Sequence, residues 1–92
     1  MGASRSTPPY YGKFRGIVVD NVDPFAMGRV QVEVPTVLSD VAVWAMPCAP
    51  YSPTPPSPSE VPQFGSRVWV EFEEGNLDYP VWTGCFWAEP GI

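Results

Sequence analysis

The sequence contains no histidine and only two cysteines among its 92 residues. Histidine is the side chain best suited to general acid–base work near neutral pH, and it is a common metal ligand. A structural zinc site needs four ligands, mostly Cys or His, which Cys48 and Cys85 cannot supply. A Ser-His-Asp arrangement is equally impossible. We therefore expect no enzyme, no metal and no cofactor, and we expect both cysteines to be buried as small hydrophobic side chains.

Basic residues and long apolar runs are also scarce. Five Lys and Arg stand against ten Asp and Glu, which gives a net charge of −5 at pH 7. Recognition of nucleic-acid phosphates depends on clustered cations, and the glutamates on strands beside Lys13, Arg15 and Arg29 would repel phosphates. We therefore expect no nucleic-acid partner. No segment approaches the ~20 apolar residues of a membrane-spanning helix, so no stable membrane insertion is expected.

Aromatic and β-branched residues, by contrast, are abundant and arranged in short segments. Four Trp, four Tyr and five Phe in so short a chain favour strands and contact surfaces. Residues 29–34 alternate between valines and polar side chains, as in a half-buried antiparallel strand, and residues 66–73 do the same. No window carries a helical period. The predicted strands cover residues 11–20, 29–34, 41–48, 66–73 and 80–86.

Turn signals and a proline-rich loop organise these strands into one domain. Residues 1–10 are predicted to be a flexible lead-in, residues 11–87 the folded domain and residues 88–92 a C-terminal tail. Prolines crowd residues 49–63, which predicts an extended loop. Gly16 lies inside the first strand, where glycine marks a bulge or a tight barrel bend. The pattern predicts an all-β fold, a five-stranded Greek-key OB-fold barrel. An SH3-like barrel is the alternative, because strand count does not separate the two.

Several large apolar side chains stand where so small a barrel has no room for them. Trp69 lies on the polar-looking face of the fourth strand, while Trp82 and Phe86 are predicted to share one face of the fifth, and Trp87 follows it. At least one or two of the four tryptophans are expected at contacts with another chain, because large exposed apolar patches are uncommon on monomers. The alternative is that they cover the open ends of the barrel.

Phe25 and Met27 raise the same question in the turn after Asp23-Pro24. Solvent normally selects polar residues at a hairpin tip, so these two side chains either cap the core or contact a partner. The predicted partner or subunit interface residues are Phe25, Met27, Trp69, Trp82 and Trp87.

The motifs, taken in order along the chain, resemble a known family. The matching stretches read FRGIVVDNVDPFAMGRVQVEVP, VAVWAMPCAPY and FGSRVWVEFEEGNLDYPVWTGCFW. Together they are similar to the OB domain of the central spike in contractile phage tail baseplates. That domain also occurs in the valine-glycine-repeat spike proteins of type VI secretion and in baseplate assembly protein V. The resemblance covers residues 11–87, nearly the whole sequence.

The resemblance implies a non-enzymatic structural component of a baseplate spike. Such a protein would reside in a virion tail or contractile injection particle and be assembled in the bacterial cytoplasm. In that family the OB domain forms a homotrimer between the baseplate hub and a membrane-piercing tip. No lysozyme domain or repeat array follows before Ile92, so we expect the tip on a separate chain or on a longer form of this one. The alternative is a stand-alone OB-fold binding module for single-stranded nucleic acid or peptide.

Overall fold

A computed structural model describes residues 9–50 and 52–87, and their strands wrap into a closed barrel. The strands are β1 (Phe14–Asp20), β2 (Val30–Val34), β3 (Leu38–Pro47), β4 (Arg67–Phe72) and β5 (Pro80–Phe86). Their order around the barrel is β1-β2-β3-β5-β4, and every pair is antiparallel except β3 with β5. Two single-turn 3-10 helices cover Pro58–Glu60 and Glu73–Gly75. The predicted all-β, five-stranded barrel is confirmed.

The barrel interior is filled by small β-branched side chains, because alternate residues of each strand point inward. The largest fully buried side chains are Val18, Val30, Val32, Val34, Val68 and Val70. Phe72 closes one end of this core, with its ring 5.3 Å from that of Phe14 and 6.4 Å from that of Tyr10. No tryptophan of the described residues belongs to the buried core.

Two strands begin three residues away from their predicted first residue, while the other three begin within one residue of it. β1 begins at Phe14 instead of residue 11, and β3 begins at Leu38 instead of residue 41. The N–H of Val37 donates to the carbonyl of Val34 at 3.1 Å, so a tight turn joins β2 to β3 directly. The early part of β3 carries exposed polar residues, Ser39 and Asp40, and therefore has no apolar alternation to reveal it.

The predicted tail, residues 88–92, and most of the predicted lead-in, residues 1–10, lie outside the described residues. Within the lead-in, Tyr10 is buried, and its N–H donates to the carbonyl of Gly75 at 2.9 Å. The packed part of the chain therefore includes this residue.

Gly16 marks a close approach between strands. A Cβ there would lie 2.9 Å from Val70 Cγ2 and 3.3 Å from the carbonyl oxygen of Glu33. Of the two alternatives predicted for Gly16, a bulge or a tight bend, the bulge is not at this residue, because the register of β1 against β2 shifts farther along the strand, between Val18 and Asp20.

A second irregularity changes which residues of β5 point into the barrel. Trp69 pairs with Gly84 and Val70 pairs with Trp82, so Thr83 is an extra residue in β5. Such a bulge reverses the inward and outward alternation beyond it. Trp82 consequently packs against the core, whereas Phe86 lies against Trp69 on the outside. The prediction that Trp82 and Phe86 share a face is wrong for this reason.

The two cysteines are free and exposed, so the prediction that both are buried is also wrong. Cys48 comes directly after the last residue of β3, and Cys85 is the next-to-last residue of β5. Both cysteines therefore lie at the end of a strand and outside the core.

Candidate functional site

The loop between β1 and β2 is organised by the carboxylate of Asp23. Its oxygens accept hydrogen bonds from the backbone N–H groups of Phe25 and Met27, each at 2.9 Å, and of Arg29 at 3.2 Å. The Arg29 guanidinium donates two more, from Nε at 3.1 Å and from Nη2 at 2.9 Å. The side chains of Asp23 and Arg29 are only 4% and 17% exposed. The guanidinium, helped by these backbone groups, holds the pKa of Asp23 well below its usual range, so the pair stays charged at neutral pH.

The guanidinium of Arg29 also lies between two aromatic rings. It is 4.8 Å from the ring centroid of Phe25 and 5.2 Å from that of Trp44. Phe25 nevertheless remains 69% exposed and Met27 is exposed as well, so neither caps the core. The tip of this hairpin is thus a fixed loop that presents apolar side chains to the outside.

An open hollow continues this apolar region toward β3 and β5. Arg29, Trp44, Met46 and Tyr79 line it together with two acidic residues, Glu73 and Asp78. We call the set of residues that shares this region the Arg29 surface: Phe25, Arg29, Trp44, Met46 and Tyr79, with Glu73 and Asp78 at its edge.

A second aromatic cluster lies on the outer face of β1, β4 and β5. The rings of Trp69 and Phe86 are 4.4 Å apart, and the guanidinium of Arg15 lies 5.4 Å and 4.9 Å from their centroids. Register places Arg67 opposite Phe86 and Arg15 opposite Trp69. We call Arg15, Arg67, Trp69 and Phe86 the Trp69 surface. Trp87, which follows Phe86 in the chain, is 87% exposed.

Trp82 plays a different part, because it ties the barrel to the hairpin tip. Its indole Nε1–H donates to the carbonyl of Gly28 at 3.3 Å. A Cβ on Gly28 would lie 2.6 Å from Pro56 Cγ, so the proline-rich loop packs directly against this glycine. The buried hydroxyl of Thr83, beside Trp82, has no hydrogen-bond partner among the described residues.

The structure thus groups the predicted interface residues into three places. Phe25 and Met27 lie at the hairpin tip, Trp69 and Trp87 lie at or next to the Trp69 surface, and Trp82 lies under the proline-rich loop. Sequence reasoning did not place the residues that complete these surfaces, namely Arg15, Arg29, Trp44, Met46, Tyr79 and Phe86. No local pattern in the sequence marks these residues as parts of one surface, because each surface forms between strands that are distant along the chain.

In residues 9–50 and 52–87, no group of three or more His, Cys, Asp or Glu side chains is arranged to hold a metal ion. No helix in these ranges is long and apolar enough to cross a bilayer.

Comparison with known protein families identifies a match to this barrel. The family model described as the type VI secretion system/phage-baseplate injector OB domain matches residues 14–87. The match begins at the first residue of β1 and ends just after β5, so it covers the entire barrel. It identifies the barrel as an OB fold and not as the SH3-like alternative. No curated protein matches the chain.

Proposed function

The chain belongs to the type VI secretion and phage-baseplate injector OB-domain family, and on that basis we propose that it is a homotrimeric adapter joining the baseplate hub to the membrane-piercing tip. Membership in this family establishes a structural role in a baseplate and a place in a virion or injection particle. The proposal adds the number of subunits, the two partners, assembly in the bacterial cytoplasm and the absence of catalysis.

The observation that carries the proposal is the placement of aromatic side chains outside the barrel. Valines fill the interior, and the exposed fractions of Phe25, Tyr79 and Trp87 are 69%, 58% and 87%. Exposed apolar surface of this kind marks contacts with other proteins. A domain of this size buries a smaller fraction of its surface than a larger domain does, so subunit association would also stabilise the fold.

The geometry suits a part that transmits axial load. A closed barrel has no free sheet edge along most of its length, so neighbouring strands support one another through backbone hydrogen bonds. The ion pair of Asp23 with Arg29 fixes the hairpin tip in one conformation. Three such barrels around one axis would give the hub and the tip a rigid, three-fold symmetric connection.

The isolated protein is expected to be a trimer in solution. Light scattering on a size-exclusion column should give three times the 10.1 kDa mass of the chain, with dissociation to the monomer on dilution. The dilution series serves as its own control, because a non-specific aggregate would not settle at one stoichiometry. A monomer at every concentration would contradict self-association as proposed.

A stand-alone nucleic-acid-binding module is the second candidate, because stacked rings beside Arg15 offer the kind of platform on which bases stack. The distribution of charged residues supports the adapter proposal instead. Glu71 pairs with Lys13 and Asp23 pairs with Arg29, which leaves Arg15 and Arg67 as the described cations without an ion-pair partner.

We therefore expect no salt-sensitive binding of single-stranded DNA. Fluorescence anisotropy of a labelled oligothymidine at low ionic strength should stay unchanged up to protein concentrations of about 100 μM, near the weakest range of non-specific binding. Micromolar binding that weakens as salt rises would favour the binding module over the adapter.

A further inference from the structure

The charged residues of this acidic protein are unevenly distributed over the barrel wall. Of the four cations among the described residues, Lys13, Arg15 and Arg67 lie on or beside the outer face of β1 and β4. Glu71 offsets Lys13 through an exposed ion pair at 3.1 Å. Arg15 and Arg67 thus give the Trp69 surface a positive charge on a chain whose net charge is −5.

The Arg29 surface carries the opposite charge. Its own guanidinium is neutralised by Asp23, with which it shares two hydrogen bonds. Glu73 and Asp78, both exposed, form its edge beside the exposed ring of Tyr79. This surface therefore has an apolar centre and an acidic edge, which complements the aromatic and cationic Trp69 surface.

The two surfaces lie at opposite ends of β5. Val81 at the start of this strand lines the Arg29 surface hollow, and Phe86 at its end belongs to the Trp69 surface. At about 3.3 Å per residue, these positions are roughly 16 Å apart along the strand. One surface of a partner could contact both the Arg29 surface and the Trp69 surface only if it also covered the barrel wall between them.

Neither surface is suited to face a copy of itself. In a two-fold dimer, each subunit contributes the same patch to the interface. The Trp69 surface would then place Arg15 and Arg67 opposite their own copies. The Arg29 surface would do the same with Glu73 and Asp78. Like charges placed opposite each other in an interface are strongly unfavourable. A cyclic ring, in contrast, joins two different patches of each subunit, head to tail.

We propose that the Trp69 surface of one subunit binds the Arg29 surface of the next, and that this head-to-tail contact closes the ring. The inference rests on the proposed trimer and names its interface. Trp69 and Phe86 pack against Phe25, Met46 and Tyr79 of the neighbour. Arg15 and Arg67 face the acidic edge formed by Glu73 and Asp78.

A charge exchange tests the proposal. Arg67→Glu and Glu73→Lys are made singly and together in the full chain, and the trimer–monomer equilibrium is measured by light scattering at low ionic strength. Each single variant opposes like charges and should dissociate at a protein concentration at least about tenfold higher than the wild type does. The double variant restores opposite charges in every interface and should recover most of this loss. Asp40→Lys, which makes the same charge change on an exposed residue outside both surfaces, should leave the equilibrium unchanged.

The outcomes separate the interface from the trimer. A wild-type trimer that both single variants leave intact overturns the head-to-tail contact but not the adapter proposal. A wild-type monomer overturns the trimer and the contact together. Far-ultraviolet circular dichroism of each variant shows whether the barrel is folded. If a variant unfolds, Arg67→Ala and Glu73→Gln, which remove charge without reversing it, must still weaken the trimer for the proposal to stand.

Discussion

Replacing Asp23 with alanine should lower the free energy of unfolding by about 3–5 kcal/mol, because breaking a buried ion pair leaves its partner uncompensated. Arg29 would lose both side-chain hydrogen bonds while only 17% of its side chain is exposed. The backbone N–H groups of Phe25 and Met27 would lose their acceptor as well. Urea unfolding followed by tryptophan fluorescence measures the loss.

Asp20→Ala is the matched control for this change. Asp20 also accepts a backbone hydrogen bond in the same loop, from the N–H of Val22 at 2.9 Å, but it forms no ion pair among the described residues. Its replacement should cost about 1 kcal/mol. Equal losses for the two aspartates would mean that the Asp23–Arg29 pair does not hold the loop.

The pH dependence of Asp23→Asn gives a second view of the same pair. The pKa of Asp23 is held below its ordinary value of 3.8 in the folded protein, chiefly by Arg29. The unfolded chain therefore takes up a proton first as the pH falls, and the stability due to the carboxylate is present above about pH 4 and lost below it. The difference in free energy of unfolding between wild type and Asp23→Asn should have its full value at pH 7. It should decrease as the pH falls from about 4 to about 2.

The loop also links stability to assembly. Asp23 fixes Arg29, and Arg29 in turn supports the rings of Phe25 and Trp44. A variant that loses this order loses the shape of the Arg29 surface even where the barrel stays folded. Asp23→Ala should for that reason weaken the trimer more than Asp20→Ala does.

Local patterns in the sequence predicted the barrel well because strand alternation is a local property. The valines of β2 and β4 revealed their inward faces directly. The beginning of β3 was hidden, since Ser39 and Asp40 interrupt any alternation. The bulge at Thr83 could not be predicted either. One extra residue changes which side chains of β5 point inward, but it leaves no mark in the composition of the strand.

The candidate surfaces were harder to predict because they depend on pairing between distant strands. Trp69 was recognisable as an aromatic residue on a polar face, but its contact with Arg15 follows from the register of β1 against β4. Arg29 was grouped with Lys13 as a candidate cation for phosphates. In the folded protein the turn brings Asp23 to Arg29 and neutralises it. No local pattern in the sequence predicts this contact.

Replacing Gly28 with alanine should show how the proline-rich loop depends on the hairpin tip. Gly28 has a φ of +77°, and a Cβ there would lie 2.6 Å and 2.7 Å from Cγ and Cδ of Pro56. The left-handed backbone costs alanine about 1–2 kcal/mol, and overpacking against the proline ring adds about 1–3 kcal/mol. The loop must move away, which also disturbs the bond from Trp82 Nε1–H to the Gly28 carbonyl.

Gly65→Ala separates the clash from the backbone strain. Gly65 has a similar φ of +86°, but a Cβ there meets nothing within 4 Å. It should therefore lose only the backbone component, about 1–2 kcal/mol, in the same urea unfolding measurement. Hydrogen exchange at the Trp82 indole, followed by NMR, should accelerate in Gly28→Ala and remain as in the wild type in Gly65→Ala. Equal losses of stability and unchanged indole exchange in both variants would mean that Pro56 yields freely, and that the proline-rich loop is not anchored through Gly28.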